Sequence, residues 1–151
     1  MKILVVYYSR TGNTKLVAEQ IAKLLNADLD EIIDEKDRKR KVIGWVISGY
    51  DALKKELTKI NHKENPKNYN LVIIGTPNWA GTMTPAIRTY LTKNKLKNVA
   101  FFCTFGGNEG HVFQDMESLS AKPKYVLGLR DKKITPEESM RRIKKFCEKI
   151  K

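Results

Sequence analysis

The six residues Ser9-Arg10-Thr11-Gly12-Asn13-Thr14 decide how this sequence is interpreted. They follow the apolar run Ile3–Tyr8, which predicts a buried strand, and they precede apolar residues at helical spacing between Val17 and Leu25. The segment is therefore predicted to link a strand to a helix. Its hydroxyl and amide groups, together with the free N–H groups of the helix start, suit a phosphate. Gly12 would let the backbone approach that phosphate closely.

The polar side chains of this loop have a second interpretation, since Ser, Thr and Asn also cap helices. A cap needs only one such residue, whereas the loop has four beside its glycine. The Walker spacing and the Gly-x-Gly-x-x-Gly dinucleotide fingerprint are both absent from the loop. A magnesium-dependent nucleotide hydrolase is therefore disfavoured, and we predict a phosphate-binding loop.

The rest of the chain alternates strand patterns with helix patterns. Further apolar runs predict three strands and a weaker fourth, at Leu71–Ile74, Val99–Phe105, Tyr125–Leu129 and Asp28–Ile33. Helical spacing recurs over residues 43–57 and 83–91, and Thr135-Pro136-Glu137-Glu138 is a capping box that opens a last helix. No linker or repeat divides the chain. We predict one α/β domain over residues 1–151, a three-layer, doubly wound sheet of five parallel strands.

The stretch Tyr8–Thr14 closely resembles the phosphate-binding motif of the flavodoxins. The resemblance implies the strand order 2-1-3-4-5, with flavin mononucleotide (FMN) bound at the point where the strand order reverses. It also implies that the loop holds the FMN phosphate without a metal ion. The cofactor contacts carried over to this loop are Ser9, Arg10, Thr11, Gly12, Asn13 and Thr14; the motif does not depend on a cation, so Arg10 receives no essential role.

The loop after the third predicted strand, Gly75–Pro85, places Trp79 between two glycines and two prolines. Trp79 either packs on a neighbouring helix or forms a wall for a flat aromatic ring. The Gly-Thr-Pro-x-Trp-x-Gly pattern resembles the loop that borders the flavin in many flavodoxin-like proteins. That resemblance implies cofactor contacts from Thr76, Pro77, Asn78, Trp79, Ala80 and Gly81.

The loop after the fourth predicted strand has three glycines within five positions, which implies bare backbone amides near a ligand. In flavodoxins the corresponding loop borders the other side of the isoalloxazine ring. The contacts implied here are Thr104, Phe105, Gly106, Gly107 and Gly110. Either Phe105 or Phe113 is expected to supply the second aromatic contact. His111 is either a proton donor near the flavin or an exposed or capping residue.

The charge of the chain is strongly positive: 29 Lys or Arg against 17 Asp or Glu, a formal net charge of +12. Such an excess suggests an acidic partner. The charge run Asp34–Lys41 lacks interleaved aromatic residues, so we expect no nucleic-acid binding. No apolar run is long enough to span a bilayer, and the first residues do not resemble a signal peptide. With only two cysteines, Cys103 and Cys147, and no metal-ligand spacing, we expect a cytoplasmic protein with reduced thiols.

Two functions are compatible with the resemblance. The first is an electron carrier that shuttles between larger redox partners; the second is an FMN-dependent NAD(P)H reductase of quinones or other small acceptors. The short loops and the lack of an obvious second nucleotide site favour the carrier. A carrier of this charge is expected to dock on a redox partner protein with an acidic face. An interaction module without cofactor is disfavoured by the near-complete phosphate loop.

Overall fold

A parallel sheet forms the centre of the computed structural model, which describes residues 1–36, 55, 57–131 and 134–151. Its five strands are β1 Ile3–Tyr7, β2 Asp28–Glu31, β5 Leu71–Pro77, β6 Val99–Phe105 and β7 Val126–Arg130. They lie in the order β2-β1-β5-β6-β7. Two further strands, β3 Ile33–Asp34 and β4 Ile60–Asn61, form a separate antiparallel pair. Counted within the main sheet, this is the predicted order 2-1-3-4-5, so the predicted fold class is confirmed.

The centre of the sheet is buried on both faces, which explains the continuous apolar runs. Val5 pairs with Leu29 on one side and with Ile73 on the other. Every residue of β1 is buried, as are the first six of β5 and of β6. The edge strand β2 differs, because Asp30 is its only buried residue. The Asp30 carboxylate accepts hydrogen bonds from the backbone N–H groups of Lys63 and Glu64, at 2.8–3.1 Å.

Helices cover both faces of this sheet. In the described residues they are α1 Asn13–Leu25, α2 Pro85–Lys93, α3 Val112–Leu119 and α4 Pro136–Ile150. The first and last pack on one face, while α2 and α3 pack together on the other. Thr84 and Thr135 cap α2 and α4 through their side chains, each with a proline at the helix start, as the sequence of the last helix predicts.

Several boundaries differ from the sequence-based expectations. The strand predicted at Leu71–Ile74 continues to Pro77, because Gly75 pairs with Phe102 and leaves room for its ring. The strand predicted at Asp28–Ile33 breaks at Ile32, which is buried between β2 and β3. Helix α3 had no predicted counterpart.

Two predicted features lie largely or wholly outside the described residues. They are the helix over residues 43–57 and most of the charge run Asp34–Lys41. Among the helices that the structure describes, none is both long and apolar enough to cross a membrane.

Candidate functional site

The loop after β1 leads directly into α1 and leaves the start of that helix without a side-chain cap. Gly12 occupies the N-cap position with φ +102°, a conformation that L side chains rarely adopt. Its N–H donates to Ser9 Oγ at 3.1 Å, so Ser9 stabilises the turn before the helix. The capping interpretation of the loop is therefore wrong. The first-turn N–H groups of α1 stay available to an anion, at the positive end of the helix dipole.

A buried hydrogen bond joins this first turn to the end of β6. The hydroxyls of Thr14 and Thr104 are 2.8 Å apart, and both residues are almost fully buried. The contact fixes the start of α1 against β6, which lies two strands away from β1 in the sheet.

Trp79 lies in a tight turn after β5. Its backbone pairs with that of Thr82 in both directions, and Ala80 and Gly81 between them have positive φ values of 53° and 84°. The Asn78 side chain accepts from the Gly81 N–H at 2.8 Å and holds the turn closed. The sequence predicted an irregular loop here, and this turn is its physical basis.

The indole of Trp79 is only 6 % exposed, but it lines the site described below. Tyr8 meets it edge-on, with ring centroids 5.6 Å apart. The Arg10 guanidinium lies over its ring at 5.6 Å from the centroid. Burial lowers the pKa of Arg10. Trp79 therefore combines the two environments considered from the sequence. Its side chain packs in the hydrophobic core, and part of its surface also lines a cavity.

The loop after β6 packs directly on the Trp79 turn. Gly110 has φ +57°, and a Cβ on it would lie 2.6 Å from the Gly81 Cα. The His111 N–H donates to the Gly81 carbonyl at 2.7 Å. Gly110 is therefore required where two loops approach each other closely. The His111 side chain does not cap α3, although His111 occupies its N-cap position.

A cavity of about 610 Å³ opens between these loops at the carboxyl ends of the strands. This volume is typical of small-molecule sites, which span about 300–1,000 Å³. Ten of the predicted cofactor residues line it: Arg10, Thr11, Asn13, Thr14, Pro77, Asn78, Trp79, Thr104, Phe105 and Gly106. Of the two candidate phenylalanines, Phe105 lines the cavity, whereas Phe113 packs against the core.

Seven predicted residues do not line the cavity: Ser9, Gly12, Thr76, Ala80, Gly81, Gly107 and Gly110. Most of them instead fix the backbone conformation of the loops whose other residues line the cavity. Thr76 is fully buried, and its hydroxyl accepts from the Thr84 N–H at 3.2 Å, which anchors the start of α2. Gly107 has neither a positive φ nor a neighbour within 4 Å of a Cβ placed on it, so nothing in its surroundings demands glycine.

Asp131 lines the cavity and was missed from the sequence. It follows β7, and its N–H donates to the Phe105 carbonyl at 2.7 Å. The predicted site comprises the loops after the first, third and fourth predicted strands, but the fifth strand ends at the same edge of the sheet. A polar residue at that strand end was the available signal.

The arrangement suits a ligand with an anionic group and a flat ring. The uncapped helix start and the hydroxyls of Thr11 and Thr14 offer donors at one place, and Trp79 and Phe105 offer aromatic surface. No group of His, Cys, Asp or Glu in the described residues is arranged to hold a metal ion. Cys103 is no candidate nucleophile, because burial and the charges of Glu109 and Asp131 raise the pKa of its thiol.

Comparisons with known proteins agree with this geometry. A family model described as Flavodoxin matches residues 2–150. A candidate flavoprotein from Bacteroides eggerthii DSM 20697 has a similar structure, with a TM-score of 0.72, 28 % identity and 93 % of each chain covered. A flavoprotein from Lactobacillus acidophilus NCFM, crystallised in complex with FMN, gives a TM-score of 0.70 at 24 % identity, with 91 % of this chain and 98 % of that chain covered.

A candidate flavoprotein from Bacteroides uniformis ATCC 8492 gives a TM-score of 0.74 at 20 % identity, with 95 % of this chain and 97 % of that chain covered. No curated protein matches the chain significantly.

Proposed function

The chain belongs to the flavodoxin family, and on that premise we propose that it binds FMN and carries electrons between larger redox partners. The observation that supports FMN binding best is the position of the uncapped start of α1, whose residues Asn13 and Thr14 line the same cavity as Trp79. A phosphate and an aromatic ring joined in one molecule match that pair of features. The flavoprotein from Lactobacillus acidophilus was crystallised with FMN.

In this proposal each part of the cavity has its own task. The amides of the first turn of α1 and the hydroxyls of Thr11 and Thr14 bind the phosphate, and Gly12 keeps the backbone clear of side-chain atoms. Trp79 and Phe105 contact the ring and exclude water from it. Bound FMN supplies the redox chemistry, since it accepts and delivers electrons. The protein orients the bound FMN and leaves it accessible to redox partners at the carboxyl ends of the strands.

The carrier role is supported by the small size of the site. The cavity of about 610 Å³ is lined by three short loops and the end of β7, and it is large enough for one FMN molecule. The sequence contains neither the Walker spacing nor the Gly-x-Gly-x-x-Gly fingerprint that would indicate a site for a second nucleotide. A carrier of net charge +12 fits a redox partner with an acidic docking face.

An NAD(P)H oxidation assay separates the carrier from a reductase. The FMN-loaded protein is mixed with NADH or NADPH and a soluble quinone, with free FMN at the same concentration as the control. We expect oxidation no faster than with free FMN. Adding an NADPH-dependent flavoprotein reductase with an acidic surface should then allow the protein to pass electrons to an acidic haem protein, because both partners complement the net charge of +12. Catalytic NAD(P)H oxidation by the protein alone would contradict the carrier role and establish the reductase.

A further inference from the structure

A second concave surface, of about 440 Å³, lies between the start of β7 and the second half of α4. Half of its eight lining residues are basic and none is acidic. The basic ones are Lys124, Arg142, Lys145 and Lys149, and the others are Tyr125, Val126, Leu127 and Phe146. We call this surface the basic groove.

Among the residues that the structure describes, none of the four cations of the basic groove forms an ion pair. The neighbouring Arg141 differs, because it is paired with Glu138 at 2.6 Å. Arg142, Lys145 and Lys149 are spaced by three and four residues and therefore share one face of α4. Their mutual repulsion favours an anionic ligand along this face.

The other wall of the basic groove is an edge of the sheet, since β7 is the last strand in the order that the described residues form. The Tyr125 carbonyl accepts from the Phe101 N–H at 3.1 Å and so points into the sheet. The Val126 N–H belongs to the same trans peptide and points the opposite way, out of the edge. Tyr125 and Val126 are 36 % and 48 % exposed, so apolar surface accompanies this donor.

We propose that the basic groove binds an extended acidic polypeptide segment of a partner protein, which adds a strand to the edge of β7. Acidic side chains on alternate residues of such a strand recur about every 6.7 Å. They would face cations that extend over roughly 10 Å of α4, from Arg142 to Lys149. Backbone pairing with β7 supplies affinity, and the cations select an acidic sequence. A second copy of this chain is disfavoured as the occupant, because it would bring the same four cations to the edge.

The basic groove and the cofactor cavity lie at opposite ends of β7. Asp131 in the cavity follows Val126 in the groove by five positions, which corresponds to roughly 16 Å of strand. A partner segment bound in the basic groove would therefore anchor the partner protein and leave the cofactor cavity accessible for electron transfer. The inference rests on the proposed carrier function for its purpose, but peptide binding and FMN binding are measured separately and can fail independently.

A peptide titration tests the proposal. A dye-labelled peptide in which Glu alternates with Val is titrated with the FMN-loaded protein, and binding is followed by fluorescence anisotropy. We expect saturable binding that weakens as salt is added. The double variant K145E/K149E should bind at least about tenfold more weakly and keep its FMN affinity. The control K67E/K144E changes the net charge equally, but neither residue lines the groove, and it should bind as the unmodified protein does.

Two further variants test whether the peptide pairs with the backbone of β7. V126P removes the outward N–H at an edge position where proline is tolerated, and V126T keeps it. We expect V126P, but not V126T, to weaken peptide binding several-fold. The proposal is overturned if K67E/K144E loses as much affinity as K145E/K149E, or if a Gln–Val peptide binds equally well. It is also overturned if phosphatidylserine vesicles bind the protein through Lys145 and Lys149 while the Glu–Val peptide does not.

Discussion

The hydroxyl of Thr14 lies 2.8 Å from the hydroxyl of Thr104, in a buried contact between the first turn of α1 and the end of β6. Both residues also line the proposed FMN cavity. The pair therefore connects the stability of the fold with the geometry of the site, since the start of α1 is positioned against the sheet through it.

Breaking this pair should destabilise the protein measurably. Thr14→Val or Thr104→Val leaves the remaining buried hydroxyl without its partner, and we expect each to lower the free energy of unfolding by about 1–3 kcal/mol. The double variant should lose less than the sum of the two, because it leaves no orphaned hydroxyl. Urea unfolding without FMN measures the three values. Thr11→Val is the control, since Thr11 is exposed and its hydroxyl makes no hydrogen bond within the described part of the chain; strictly additive losses at Thr14 and Thr104 would contradict the pairing.

Gly12 should be essential for FMN affinity. Its φ of +102° strains any side chain with a Cβ, and no protein atom lies within 4 Å of a Cβ placed there. We expect Gly12→Val to cost about 1–2 kcal/mol of stability and to abolish FMN binding, because its side chain would obstruct the approach of a phosphate to the backbone. Flavin fluorescence titration measures the affinity. Gly107→Ala, with ordinary φ and open surroundings, should bind FMN normally. Unchanged affinity in Gly12→Val would show that the loop is wrongly assigned.

Trp79 should report FMN binding by its own fluorescence. The sequence has two tryptophans, and a Trp45→Phe background leaves Trp79 as the single one. Because Trp79 lines the cavity, adding FMN should quench most of the remaining emission. Trp79→Phe should weaken FMN binding several-fold through loss of aromatic contact area. Emission from Trp79 that is unaffected at FMN saturation would place the ring of FMN elsewhere.

Alkaline pH should destabilise the protein partly through Cys147. Burial raises the pKa of this thiol to about 11, although the nearby charge of Lys151 opposes that shift. The unfolded thiol has a pKa near 8.5. The native state therefore keeps a proton that the unfolded state loses, so this stabilising contribution is complete below about pH 8.5 and is lost as the pH rises to about 11. Cys147→Ala should show a shallower decline in unfolding free energy across that interval. An identical decline in both proteins would contradict the assignment.

Much of the fold could be predicted from the sequence because its signals are local. The strands β1 and β6 are continuous apolar runs bounded by polar or glycine residues, and α4 begins with a capping box. The order of the sheet followed from the family resemblance, not from these local patterns. The phosphate loop was recognisable because its polar residues are consecutive.

The remaining differences arise from contacts between distant residues. The apolar run predicts a strand that ends at Ile74, before Gly75, but in the structure the Phe102 ring of the neighbouring strand occupies the space of a Cβ at Gly75 and the strand continues. Asp131 joins the cavity only because β7 ends beside Phe105. The glycines Gly81 and Gly110 were assigned to the ligand, whereas in the structure they pack on each other. None of these pairings is visible in a single sequence.

The most direct test of the proposed function is the comparison of FMN with riboflavin, which has the same ring and lacks the phosphate. The purified protein, freed of any flavin, is titrated with each compound, and the quenching of flavin fluorescence gives both dissociation constants. Several charge-assisted hydrogen bonds at the start of α1 should make FMN bind at least about a hundredfold more tightly than riboflavin. Equal affinity for the two compounds, or no binding of FMN, would contradict the account.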